Sequence, residues 1–98
     1  MAKFSDDEIA NALADLEGWA FENDRISKEF KFPTFMDAIA FIDRIADRAE
    51  ELQLDHHPDL ENHYNRVGVS LHTWTEKGVT HKDIALAHQI EQVLDSGF

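Results

Sequence analysis

The chain has no cysteine, only two prolines and four glycines among its 98 residues, and nine basic side chains against twenty acidic ones. Without thiols there can be no disulfide, thiolate nucleophile or cysteine-ligated zinc or iron–sulfur site, and nothing points to an oxidising compartment. The shortage of lysine and arginine leaves a formal net charge of −11. A surface of that sign repels phosphate backbones and anionic headgroups, which argues against direct binding to nucleic acid or to a membrane. No apolar run approaches the roughly 20 residues of a membrane-spanning helix. Met1-Ala2-Lys3-Phe4-Ser5 also lacks the apolar core of a signal peptide, so the expected location is cytoplasmic. What is present is bulk for one core: 43% hydrophobic residues, seven phenylalanines among them, in a chain whose length fits a single domain over 1–98.

Three helix starts are legible as capping pairs: Ser5 with Glu8, Thr34 with Asp37, and Thr80 with Asp83. Behind the first, Ile9, Ala12, Leu13 and Leu16 recur at helical spacing up to Gly18, a C-terminal cap. Behind the second, the predicted inward positions are Phe35, Ala38, Ile39, Ile42, Ile45, Ala46, Ala49 and Leu52. The opposite side carries Asp43, Asp47, Arg48, Glu50 and Glu51 and reads as a solvated face. Behind the third, Ile84, Ala87, Ile90 and Leu94 face inward. Trp19–Glu22 and Ile26–Phe32 alternate with period two around the turn-forming Asn23-Asp24-Arg25, which predicts a β-hairpin. Asp59–Tyr64 predicts a short strand. From Arg66 to Trp74 the alternation is clean, with Val67, Val69, Leu71 and Thr73 on one face and Arg66, Gly68, Ser70, His72 and Trp74 on the other. The order α-β-β-α-β-β-α with short turns predicts an α+β fold, a four-stranded antiparallel sheet with three helices packed on one face. The other sheet face is then left with His72 and Trp74, a surface for a pocket or a subunit contact.

Asp55-His56-His57-Pro58 is the stretch with the most chemistry. Proline fixes its own φ and pushes His57 toward extended backbone, so two neighbouring imidazoles leave a helix end and splay apart. Histidine, with an unperturbed pKa of roughly 6.5, exchanges protons near neutral pH, and the pair reads first as acid–base equipment. The structural alternative is a pair of polar residues capping helix carbonyls. Two further readings remain open. His56, His57 and His63 with Asp55 or Asp59 offer nitrogen and oxygen ligands for zinc, although no two histidines have the four-residue helical spacing that eases chelation. A non-enzymatic interaction module that uses the free sheet face is the other. Asp83 has a structural explanation of its own as the capping partner of Thr80. His81 and His88 read as surface residues.

Glu51-Leu52-Gln53-Leu54-Asp55-His56-His57-Pro58, then Tyr64-Asn65, then Val67, Val69, Leu71 and Thr73-Trp74, then Gly78-Val79-Thr80 with Asp83 and Leu86-Ala87, resemble the pterin-4a-carbinolamine dehydratase family. The resemblance covers most of the chain from Phe30 onward. It implies dehydration of a 4a-hydroxytetrahydropterin to a quinonoid dihydropterin, in recycling of the pterin cofactor of aromatic amino acid hydroxylases. It also implies no metal or organic cofactor and a homodimer or homotetramer, with a coactivator role in some members. By resemblance His56, His57 and Asp83 are assigned to catalysis, and Pro58, His72, Thr73 and Trp74 to substrate contact. The chain departs from the pattern at Leu52, where the family usually carries an acidic or polar residue, and at Trp74, where many members carry a third histidine. His72, on the same strand face as Trp74, is a candidate substitute, and the indole offers a surface for stacking.

Overall fold

The computed structural model describes residues 3–52 and 56–97. Helix α1 spans Asp6–Leu13, strands β1 and β2 span Ala20–Glu22 and Arg25–Lys31, and helix α2 spans Phe35–Glu51; strands β3 (Asp59–His63) and β4 (Arg66–Leu71) and helix α3 (His81–Asp95) follow. The four strands form one antiparallel sheet in the order β1-β2-β4-β3. The predicted element order and fold class are those observed.

Each element follows from its local sequence. Ser5 and Glu8 form the predicted capping box. The helix behind it ends at Leu13, short of the expected Gly18, because its last turn tightens: Ala14 N–H donates to Asn11 O at 3.3 Å and Leu16 N–H to Leu13 O at 3.0 Å. Such i→i+3 bonds close a helix. They turn Leu16 into the core from outside the helix, and Gly18 takes a φ of +88°, as an αL position requires. At the hairpin, Asn23 (φ 54°) and Asp24 (φ 62°) are both left-handed, the signature of a tight two-residue turn whose twist matches the strands. Arg25 therefore belongs to β2, opposite Glu22, and not to the turn.

The alternation over 66–73 is observed: Val67, Val69 and Leu71 are buried, and Thr73 continues their face through a bridge to Gly78 although β4 itself ends at Leu71. Ile26 and Phe30 of β2 pair with Leu71 and Val67 and extend the same apolar face. Both long helices bury part of the expected face (Ala38, Ile45 and Ala49; Ala87 and Ile90) together with residues beside it. On α2 the buried side chains are Ala38, Phe41, Ile45 and Ala49, while Phe35 and Ala46 are exposed and Ile39 and Ile42 half-buried. On α3 they are Asp83, Leu86, Ala87, Ile90 and Val93, with Ile84 and Leu94 half-buried. The two helices lie against each other, and Arg48 donates to Gln89 at 2.7 Å across their contact.

Sheet register decides what meets at the end of the molecule where the site forms. Asp59 pairs with Ser70, so the residues just before β3 run alongside those just after β4. The chain from β4 then turns at 74–77 straight into the N-terminus of α3. His56, Thr73 and Asp83 are thereby drawn to one place.

Candidate active site

Thr80 is the N-cap of α3 and Asp83 its N3 residue, and the two form the predicted box. Thr80 N–H donates to Asp83 Oδ2 at 2.9 Å. Thr73, projected inward by the strand alternation, donates its hydroxyl to the same oxygen at 2.8 Å. The other oxygen, Oδ1, lies 2.5 Å from His56 Nε2. Asp83 is fully buried and the His56 side chain is 11% exposed. A carboxylate removed from water is tolerable where protein donors replace the lost hydration, and this one has three, at the end of a helix whose partial charge is positive. Among the described residues no buried polar side-chain atom lacks a partner. A carboxylate only accepts, so the shared hydrogen comes from His56 Nε2, and in the neutral imidazole Nδ1 then keeps its lone pair.

The box and the imidazole use different oxygens of Asp83. Its capping role, which accounted for the residue in sequence terms, is therefore compatible with a second role toward His56.

His57 turns the other way, as the proline after it predicts. Its Nε2 lies 2.8 Å from Glu50 Oε2, with 58% of the imidazole exposed. Glu50 belongs to the last turn of α2, on the face expected to be merely solvated; nothing in the helical pattern marks it, because its partner is reached only after the chain leaves the helix. Two adjacent imidazoles are thus each held through Nε2 by a carboxylate, one buried and one at the surface. The surface pair is the weaker restraint, since exposed ion pairs contribute about 0.2–1 kcal/mol. Replacement Glu50→Gln is accordingly expected to cost less than about 1 kcal/mol of stability, measured by denaturant titration.

The remaining predicted residues are placed less closely together. His72 points to the solvent face of the sheet, where Nδ1 lies 3.8 Å from Asp59 Oδ2; Arg25 reaches that same carboxylate at 3.5 Å and Ser70 at 2.8 Å. That face carries an open cleft of about 450 Å³ whose lining includes Gly68, Arg25, Glu29, Asp59 and Glu61 but no aromatic side chain, where an aromatic surface was expected. Trp74 stands in the turn beyond β4 with 77% of its surface exposed. Pro58 is half-buried between His57 and β3. His63 sits at the far end of β3 and pairs with Glu61 at 3.2 Å, while His81 and His88 are exposed on α3. Among the described residues no three His, Asp or Glu side chains converge as a metal site, and Asp55, a candidate ligand, lies outside them.

The sequence profile of the family described as pterin 4 alpha carbinolamine dehydratase matches residues 2–93. The chain belongs to this family. A provisionally named pterin-4-alpha-carbinolamine dehydratase of Sulfolobus acidocaldarius is 43% identical over 91 residues, 93% of this chain and 98% of that protein. One from Metallosphaera sedula, also provisionally named, is 44% identical over 93 residues, 95% of either chain. A crystal structure described as a transcriptional coactivator/pterin dehydratase from Brucella melitensis superposes with a TM-score of 0.87 at 39% identity, covering 93% of this chain and 97% of that one.

Within this dehydratase family the departure at Leu52 has a local cause. Leu52 is the C-cap of α2 and packs, half-buried, on the core as the last member of the inward stripe. Of the two carboxylates just before it, Glu50 already holds His57 and Glu51 lies 4.0 Å from Arg48. At the other departure, Trp74 offers a flat apolar surface but no exchangeable imidazole proton.

Proposed function

We propose that this chain is a 4a-hydroxytetrahydropterin dehydratase in which His56 and His57 carry the two proton transfers. The observation that supports this most is the His56–Asp83 pair, a half-buried imidazole oriented through Nε2 by a fully buried carboxylate. Loss of water from the substrate breaks the bond between ring carbon 4a and its hydroxyl oxygen. The oxygen needs a proton as it leaves, and a ring N–H must give one up, yielding a quinonoid dihydropterin and water with no net change in protons. His56, with its Nδ1 lone pair free, takes the ring proton, and the charge that develops on its imidazole faces Asp83. His57, open to solvent and to Glu50, delivers a proton to the departing hydroxyl. Each transfer of this kind is worth about 10²–10⁴-fold in rate. Neither step calls for a metal or an organic cofactor. Pro58, next to His57, and Trp74, next to Thr73, supply apolar surface for the pterin ring, and His72 is a further substrate contact. The product recycles the pterin cofactor of aromatic amino acid hydroxylases in the cytoplasm, and the protein works as a homodimer or homotetramer.

The Brucella melitensis protein is described as a transcriptional coactivator as well as a pterin dehydratase, which favours a second reading for this chain, a non-enzymatic oligomeric interaction module of the same fold. One experiment separates the two. With the 4a-hydroxytetrahydropterin generated in situ by a hydroxylase, the wild type is expected to accelerate dehydration, and His57→Ala to lose about 10²-fold of that acceleration while its assembly state by light scattering is unchanged. A wild type that gives no acceleration would sink the dehydratase reading and leave the interaction module.

A further inference from the structure

We infer that Thr73 and Thr80 are positioning residues, whose hydroxyls form a one-way hydrogen-bond chain that fixes the Asp83 carboxylate and, through it, the tautomer of His56. The inference rests on the dehydratase reading for its catalytic consequence, but not for its geometry. A hydroxyl has one proton to give. Thr73 gives its proton to Asp83 Oδ2 at 2.8 Å, so at its 2.7 Å contact with Thr80 Oγ1 it must accept, and Thr80 is the donor. The direction Thr80 to Thr73 to Asp83 is therefore set, and Thr80 Oγ1 keeps a lone pair for Lys82 N–H at 3.3 Å.

The capping box is complete without Thr73: Thr80 N–H already reaches Asp83 Oδ2, and Thr80 Oγ1 already accepts from the first turn of α3. Thr73 adds a donor from a different element. Its backbone is pinned by Thr73 N–H to Gly78 O at 2.8 Å, so the hydroxyl is delivered from the rigid end of the sheet and not from the helix. Two donors on Oδ2 fix the rotation of the carboxylate and aim Oδ1 at His56 Nε2. Thr73 and Thr80 are both buried, so water does not stand in for either hydroxyl. The place expected for Thr73, as a substrate contact, is thereby exchanged for one behind the reacting groups.

The test reads His56 directly, by nitrogen NMR of the full-length protein labelled at histidine, together with kcat and KM. In the wild type His56 is expected as the single Nε2–H tautomer. Replacement Thr73→Val, close in shape but without the hydroxyl, is expected to give a mixture of tautomers and about a 10- to 100-fold fall in kcat, with KM moving by less than about twofold. Thr73→Ser restores the donor and is expected to recover the single tautomer and most of the kcat. A folded Thr73→Val with one Nε2–H tautomer and wild-type kcat would overturn the inference. So would an Nδ1–H tautomer in the wild type, a measurement that needs no variant. Because the spectrum is taken without substrate, a wild type that fails to dehydrate would remove the proposed function while this test still gives its answer.

Discussion

Replacing Asp83 with asparagine is expected to lower kcat by about 10²–10³-fold while leaving a folded protein, whereas alanine at the same position is expected to lose both activity and much of the stability. The difference comes from the two oxygens. In Asp83→Asn the amide oxygen takes the place of Oδ2, where Thr80 N–H and Thr73 Oγ1 both require an acceptor. The amide nitrogen must then face His56 Nε2, and it donates. His56 is driven to the Nδ1–H tautomer, and the lone pair that was free for proton uptake is gone, along with the negative charge facing the imidazole. The fold tolerates the change because both buried donors keep their acceptor. In Asp83→Ala those donors are orphaned in a fully buried position, at about 1–3 kcal/mol each, and the capping box is broken. The expected cost is about 3–5 kcal/mol, a fall in Tm of roughly 15–30 °C for a domain of this size. Turnover under saturating substrate and thermal melts of the two variants side by side measure both effects. An asparagine variant with wild-type kcat would return Asp83 to the status of a helix cap.

The parts of this structure that were legible in the sequence are those set by neighbours along the chain. Period-two alternation over 66–73 and the capping pairs depend on residues at most four apart; the structure reproduces the alternation and the boxes at Ser5 and Thr80, and at Thr34 the single bond from Asp37 N–H. The turn at Asn23-Asp24 was legible for the same reason, since both residue types tolerate left-handed backbone. The partners of the candidate site were harder. His56 meets Asp83 across 27 positions, a contact created by the register of β3 on β4 and not by any local spacing. Glu50 reads as part of a solvated face because it is on one; its contact with His57 depends on where the chain returns after the helix. On α2 the pattern marks Ala38, Ile45 and Ala49 correctly but not Phe41, and it extends to Phe35 and Ala46, which are exposed. Phe35, Ile39, Ile42 and Ala46 form one stripe at helical spacing and Ala38, Phe41, Ile45 and Ala49 another beside it, so the apolar arc is about 160° wide, broader than the sheet contact. Periodicity alone weighs the two equally. What separates them is contact: the buried stripe contains Phe41, which packs on Phe30 of β2 and on Phe32 just beyond it.

That side chain carries the second large effect. Phe41 is fully buried, with its ring centroid 5.0 Å from Phe30 and 4.8 Å from Phe32, the planes inclined at 52° and 46°. It joins α2 to the inner face of the sheet at the residues that lead into and out of the end of β2. Phe41→Ala removes its transfer free energy and leaves a cavity that three surrounding elements can only partly close. Such truncations cost about 3–5 kcal/mol, against total stabilities of about 5–15 kcal/mol. The expected result is a Tm lower by roughly 15–30 °C and a protein close to its unfolding threshold at physiological temperature. Phe35→Ala, one and a half turns earlier on the same helix with Phe35 42% exposed, is expected to change stability by less than about 1 kcal/mol. Denaturant titration of both variants makes the comparison within one residue type and one element. A larger loss at Phe35 than at Phe41 would mean that α2 is seated on its other apolar stripe, which would carry Glu50 away from His57 and Arg48 away from Gln89.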